Sequence, residues 1–136
     1  MTRQPLILVV DDETHIVHVV SLKLKNAGYN VITASDGEEA LALVMEHMPD
    51  LLITDYQMPY MTGLELCMKL KEQEQTTDIP ALMLTARGFS LPLELLQRTN
   101  IVGVLSKPFS PREVLTKVQA LVGSDTSFQV EGVERP

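Results

Sequence analysis

The sequence predicts an α/β domain, a doubly wound five-stranded parallel sheet with five helices. Two patterns carry that reading. Strand-length apolar runs begin near Leu6, Asn30, Leu51, Ala81 and Ile101. The segments between them repeat apolar residues at helical intervals, one helix per gap. Such alternation indicates parallel strands covered on both faces. A third observation concerns function. The run Leu6–Val10 stops at Asp11-Asp12, Leu51–Thr54 stops at Asp55, and Ile101–Ser106 stops at Lys107-Pro108. Parallel strands would bring all these charges to one carboxyl-terminal edge, where open α/β sheets bind ligands.

Each helix has its own signals. In the first, Ile16, Val19, Val20, Leu24 and Ala27 share a face, and Gly28 stands where a left-handed cap belongs. Asp36 opens the second, with Glu39 three residues on and a stripe of Ala40, Leu41, Val44 and Met48. Thr62-Gly63-Leu64-Glu65 opens the third with a capping box, and Gly63, Leu66, Cys67 and Leu70 form its apolar face. The fourth, around Leu91 to Arg98, is the weakest, because Pro92 permits only a late start. Its Leu-rich stretch, Leu91 to Leu96, reads as half-buried helix rather than a binding groove. The fifth starts with Ser110 as N-cap, Pro111 at the first helical position and Glu113 closing a box. Its stripe is Val114, Leu115, Val118, Leu121 and Val122. Residues 124–136 lose this periodicity and gain Ser, Gly, Glu and Pro, as a flexible tail or a truncated linker to an output domain would. One domain at 1–123 is therefore expected.

Composition excludes several classes. With 136 residues there is room for one domain with a real core, and 45% apolar content suits a folded chain. A net charge of −7 argues against direct nucleic-acid binding or an anionic membrane surface. Much of that acidity belongs to solvated helix faces. The single cysteine, Cys67, allows no internal disulfide and suits a reducing, cytoplasmic setting. No apolar stretch approaches the roughly 20 residues of a membrane span. Met1–Pro5 leads directly into a strand, unlike a signal peptide.

The strand-end charges need an explanation beyond capping. One Asp after a strand commonly caps the next helix, but Asp11, Asp12 and Glu13 together are too many for one cap. Asp55 alone is ambiguous; Pro59 and Gly63 after it make a short rigid loop that would hold its carboxylate in place. Two like charges about 4 Å apart cost on the order of 4 kcal/mol at an effective dielectric near 20. Such a cluster calls for a cation, and an oxygen-only donor set suits Mg²⁺. Lys107 adds a second positive charge. The edge is suited to a metal and a phosphoryl group. His15 and His18 lie three apart on the first helix, but no sulfur or third imidazole is near in sequence, so zinc is not expected. Cys67 reads as core and Met58 and Met61 as loop anchors.

The chain resembles the receiver domain of two-component response regulators over roughly residues 5 to 122. The matching pieces are Asp11-Asp12, Asp55 with Met58-Pro59-x-Met61-x-Gly63, Thr85-Ala86, and Lys107-Pro108-Phe109. The resemblance implies a flavodoxin-like strand order of 2-1-3-4-5. It makes Asp55 the acceptor of a phosphoryl group from a sensor histidine kinase or a histidine phosphotransfer protein. Mg²⁺ would be held by Asp12, Asp55 and the backbone carbonyl of Gln57, with Asp11 acting through a bound water. Lys107 and Thr85 would meet phosphoryl oxygens, and Pro108 would follow a cis peptide that aims Lys107 inward. Movement of Thr85 and Ala86 would be the switch. The output partner or domain would use the face of helix four, strand five and helix five, with homodimerisation on phosphorylation a further expectation. Such a protein signals; it catalyses only its own phosphoryl transfer and autodephosphorylation.

One position departs from the pattern. Many receivers carry a mobile aromatic on strand five where this chain has Val104. Output is therefore expected through loop four and helix four alone, with Gln57 and Arg87 flanking the site as tuning residues. Two other readings compete. One is a phosphorylation-independent adapter, against which the intact set of Asp11, Asp12, Asp55, Thr85 and Lys107 argues. The other is a Mg²⁺-dependent phosphatase with an aspartyl nucleophile, of the haloacid-dehalogenase kind. That family wants Asp-x-Asp where position 13 is Glu, and an acidic pair after its lysine where only Glu113 follows nearby.

Overall fold

The computed structural model describes residues 4–86 and 91–122. Its elements alternate in chain order: β1 (Leu6–Val10), α1 (Thr14–Asn26), β2 (Asn30–Ala34), α2 (Gly37–His47) and β3 (Leu51–Asp55). There follow α3 (Gly63–Glu72), β4 (Ala81–Thr85), α4 (Leu93–Leu96), β5 (Ile101–Ser106) and α5 (Pro111–Val122). All neighbouring strands pair in parallel, in the order β2-β1-β3-β4-β5. The expectations for Arg87 and for the tail at 124–136 fall outside the described residues.

The continuous apolar runs are continuous because the sheet is buried twice. Leu8, Val10, Leu52 and Met83 point to one face, where α2 and α3 bring Ala40, Val44, Leu66, Cys67 and Leu70. Ile7, Val9, Ile53, Leu82 and Leu84 point to the other, under Val20 and Leu24 of α1 and Val114 and Val118 of α5. Burying one such Leu or Ile side chain contributes about 1.5–3 kcal/mol. At the edge, β5 shifts register by one residue between Ala81 and Leu82, which pair with Ile101 and Gly103. That shift lets Ile101 join the α2/α3 side while Leu105 joins the α1/α5 side.

Local signals end the helices much as expected. In α3 the Thr62 hydroxyl accepts from the Glu65 amide at 3.1 Å while the Glu65 carboxylate accepts from the Thr62 amide at 2.9 Å. In α5 Ser110 and Glu113 do the same at 3.2 and 2.8 Å. Asp36 accepts from the Glu39 amide at 2.8 Å, but Glu39 turns to the amide and hydroxyl of Ser35 instead of closing a box. Gly28 follows the end of α1 with φ +101°, a left-handed conformation that favours glycine.

Three expectations need correction. Val19 is 43% exposed and Ala27 is also exposed. The ridge Ile16, Val20 and Leu24 is what meets the sheet and α5, so the side bearing Val19 faces out. Met48 lies beyond α2, in a left-handed C-cap with φ +48°, which turns its side chain off the stripe and leaves it 42% exposed. The fourth helix covers only Leu93–Leu96 rather than reaching Arg98, although it starts late, after Pro92, and Leu95 and Leu96 are half-buried, as the sequence predicts. Pro92 at its N-cap offers no side-chain acceptor for the first turn.

Candidate functional site

The strand order reverses between β1 and β3, and the site lies at their carboxyl ends. Asp11 extends the β1 ladder by donating its amide to the Ala34 carbonyl, and the residue is 1% exposed. Alternation then turns Asp12 outward, where it is exposed. Asp55 is the last residue of β3 and is buried. One carboxylate oxygen from each of Asp11, Asp12 and Asp55 lies within 4.8 Å of the others. Lys107 enters from β5, its amide donating to the Thr85 carbonyl at 2.7 Å, and the Lys107–Pro108 peptide is cis. Its ammonium stands 2.9 Å from Asp55 Oδ1, 3.1 Å from Glu13 Oε2 and 3.7 Å from Asp11 Oδ2.

The loop after Asp55 is pinned from both ends. Tyr56 donates to the Leu84 carbonyl and Gly63 donates to the Tyr56 carbonyl, each at 2.8 Å. Gly63 comes so near the Asp55 carbonyl that a Cβ there would overlap it. Met58 is buried in the core and Met61 lies against Gly37, which anchors the loop on α2. Tyr60 turns the chain between them with φ +70°, its ring almost wholly in solvent.

Burial dominates the electrostatics. It pushes the Asp11 carboxyl up to about 6, with the Asp55 charge adding to the rise and the Glu13 amide opposing it. Burial also raises Asp55, against the hydrogen bond and charge of Lys107. Burial draws the Lys107 ammonium down, yet its hydrogen bonds to Asp55 and Glu13 prevail and hold it above its ordinary value. Two buried polar atoms here have no hydrogen-bond partner among the described residues: Asp11 Oδ2 and Thr85 Oγ1. An unsatisfied buried group of this kind costs about 1–3 kcal/mol, so both sit ready for a ligand. The donor set is all oxygen and carries three acids, which fits a hard divalent cation.

The structure therefore brings together Asp11, Asp12, Asp55 and Lys107, with Thr85 joined to Lys107 through the backbone. Gln57 and Ala86 are exposed beside these strand ends, and Val104 is 39% exposed on β5. Val104 pairs with Met83 of β4. His15 and His18 are exposed on α1. Cys67 is core, its thiol pushed up to about 12 by burial. Sequence reasoning missed the reach of Glu13 to Lys107, a contact between residues 94 positions apart that no local pattern signals.

A parallel sheet of this order, with an acidic cluster and a lysine on its carboxyl edge, defines the class of receiver domains. Residues 7–119 match the response regulator receiver domain, and the chain belongs to that family. It is similar to the alkaline phosphatase synthesis transcriptional regulatory protein PhoP of Bacillus subtilis, 43% identical over 116 residues, covering 85% of this chain and 48% of the relative. It is also similar to the DNA-binding dual master transcriptional regulator RpaA of Synechocystis, 39% identical over 118 residues, covering 87% and 49%. The chain thus spans about half the length of these curated relatives. Among solved structures, the chemotaxis response regulator CheY4 of Vibrio cholerae superposes with a TM-score of 0.81 at 37% identity, covering 88% of this chain and 99% of that one. The receiver domain of the sensor histidine kinase PA1611 of Pseudomonas aeruginosa, solved with a magnesium ion coordinated in its active-site cleft, gives 0.78 at 25% identity, covering 90% and 100%.

Proposed function

We propose that Asp55 is the phosphoacceptor of a Mg²⁺-dependent signalling switch, taking its phosphoryl group from a histidine kinase or a histidine phosphotransfer protein. The observation that carries this reading is the 2.9 Å contact of Lys107 with an Asp55 carboxylate that shares its corner with Asp11 and Asp12. A carboxylate oxygen of Asp55 attacks phosphorus, the bond to the donor breaks, and the donor atom leaves with the electron pair. Asp12, Asp55, the Gln57 carbonyl and, through water, Asp11 would hold Mg²⁺, which supplies charge neutralisation at the phosphoryl oxygens. The magnesium in the cleft of the PA1611 receiver supports that assignment. Lys107 releases Asp55 Oδ1 and pairs with a phosphoryl oxygen. Thr85 donates its unpartnered hydroxyl to another, and the loop carrying Ala86 follows it.

The output is part of the proposal. The relatives are transcriptional regulators, and a partner or an attached output domain engaged through α4, β5 and α5 fits both that and the exposed Val102 and Val104. Dimerisation on phosphorylation and a cytoplasmic setting belong to the same reading; no described helix is long and apolar enough to cross a membrane. The test is direct. Incubation with Mg²⁺ and a small acyl-phosphate donor adds one phosphoryl mass to the wild-type chain and none to Asp55→Ala. An unchanged wild-type mass, or label retained in the variant, defeats the proposal.

A further inference from the structure

Glu13 occupies the N-cap position of α1 in extended conformation, yet its side chain makes no capping bond. Its amide is held instead by Asp11 Oδ1 at 3.0 Å, and its carboxylate crosses the mouth of the site to Lys107 at 3.1 Å. Lys107 is therefore divided between an inner carboxylate, Asp55, and an outer one, Glu13, whose side chain is 49% exposed. A phosphoryl group on Asp55 adds oxygens that need the same ammonium. Any share that Glu13 keeps is withheld from them.

We propose that Glu13 is a positioning residue that draws Lys107 toward the rim and so weakens the grip of the site on a phosphoryl group. The proposal rests on the phosphoacceptor reading of Asp55. Glu13 touches neither substrate nor metal in this role; it acts through the lysine. A half-exposed pair of this kind supports an effect of about two- to fivefold on affinity, and the effect shrinks with added salt.

The test uses beryllofluoride, a phosphoryl mimic, titrated with Mg²⁺ into the whole chain and followed by calorimetry. Glu13→Gln binds about two to five times more tightly than wild type. Glu13→Asp, which keeps the charge on an arm one methylene shorter, binds as tightly as Glu13→Gln. In a Lys107→Ala background, Glu13→Gln produces no further gain. Equal or weaker binding by Glu13→Gln overturns the proposal, as does a Glu13→Asp variant that behaves like wild type, since that outcome means general repulsion of anions. A gain that persists without Lys107 overturns it too. Absence of beryllofluoride binding by wild type overturns both this inference and the phosphoacceptor reading, which separates the two failures. The Glu13 side chain makes no capping bond and is half exposed, and its backbone carbonyl, which accepts from the Ile16 and Val17 amides, is untouched by substitution, so its variants fold, as circular dichroism of each verifies.

Discussion

Replacing Asp11 with Asn stabilises the metal-free protein at neutral pH. Asp11 is buried beside Asp55, and one of its oxygens has no hydrogen-bond partner among the described residues. Its carboxyl holds its proton up to about 6, against an ordinary 3.8. A carboxyl that binds its proton more tightly folded than unfolded adds stability below its unfolded value and loses it as pH rises. For Asp11 the loss runs from about pH 4 to about pH 6 and amounts to about 3 kcal/mol at pH 7. Asparagine keeps an Oδ1 to accept the Glu13 amide, now at 3.0 Å, without carrying charge. The advantage of Asp11→Asn over wild type therefore grows from near zero at about pH 3.5 to about 2–3 kcal/mol at pH 7. Urea unfolding in the presence of a chelator, at steps across that range, measures it, provided the two m-values agree. A difference that does not vary with pH refutes the reasoning, and so does a variant less stable than wild type at pH 7. Excess Mg²⁺ narrows the gap, because the ion relieves in the wild type the repulsion that Asn removes.

Other predictions follow from the loops around the site. In Gly63→Ala the added Cβ meets the Asp55 carbonyl, a backbone atom that cannot turn aside. The variant loses about 1–3 kcal/mol by thermal unfolding and takes up phosphoryl label more slowly; a stability within about 0.5 kcal/mol of wild type contradicts the close approach. Val104→Ala trims a side chain that is 39% exposed. It leaves the phosphorylation-dependent change in backbone amide NMR spectra essentially intact, and a large loss of that response shows that Val104 takes part in the switch.

Much of this architecture was legible from the chain alone, for reasons of range. A strand buried on both faces must be apolar throughout, so Leu6–Val10, Leu51–Asp55 and Ala81–Thr85 announce themselves without reference to their neighbours. The capping boxes at Thr62 and Ser110 are complete within four residues. The acids and the lysine stand at strand ends, so parallel strands alone bring them to one edge. The order of the strands came from likeness to a family, since periodicity carries no information about which strand lies beside which.

What stayed hidden depends on the neighbours an element acquires in three dimensions. Val19 has the pattern of a buried residue, but α5 and the sheet meet only the ridge beside it. At the start of α4, Pro92 offers no side-chain cap, and none of the helix's four residues is fully buried, which the leucines alone do not signal. The β5 register shift, which turns Ile101 and Leu105 to opposite faces, arises from pairing with β4. The bridge from Glu13 to Lys107 spans 94 positions and exists only because β1 and β5 end on the same edge. Short-range chemistry is written in short stretches of sequence; a contact between distant residues is written nowhere until the chain has closed upon itself.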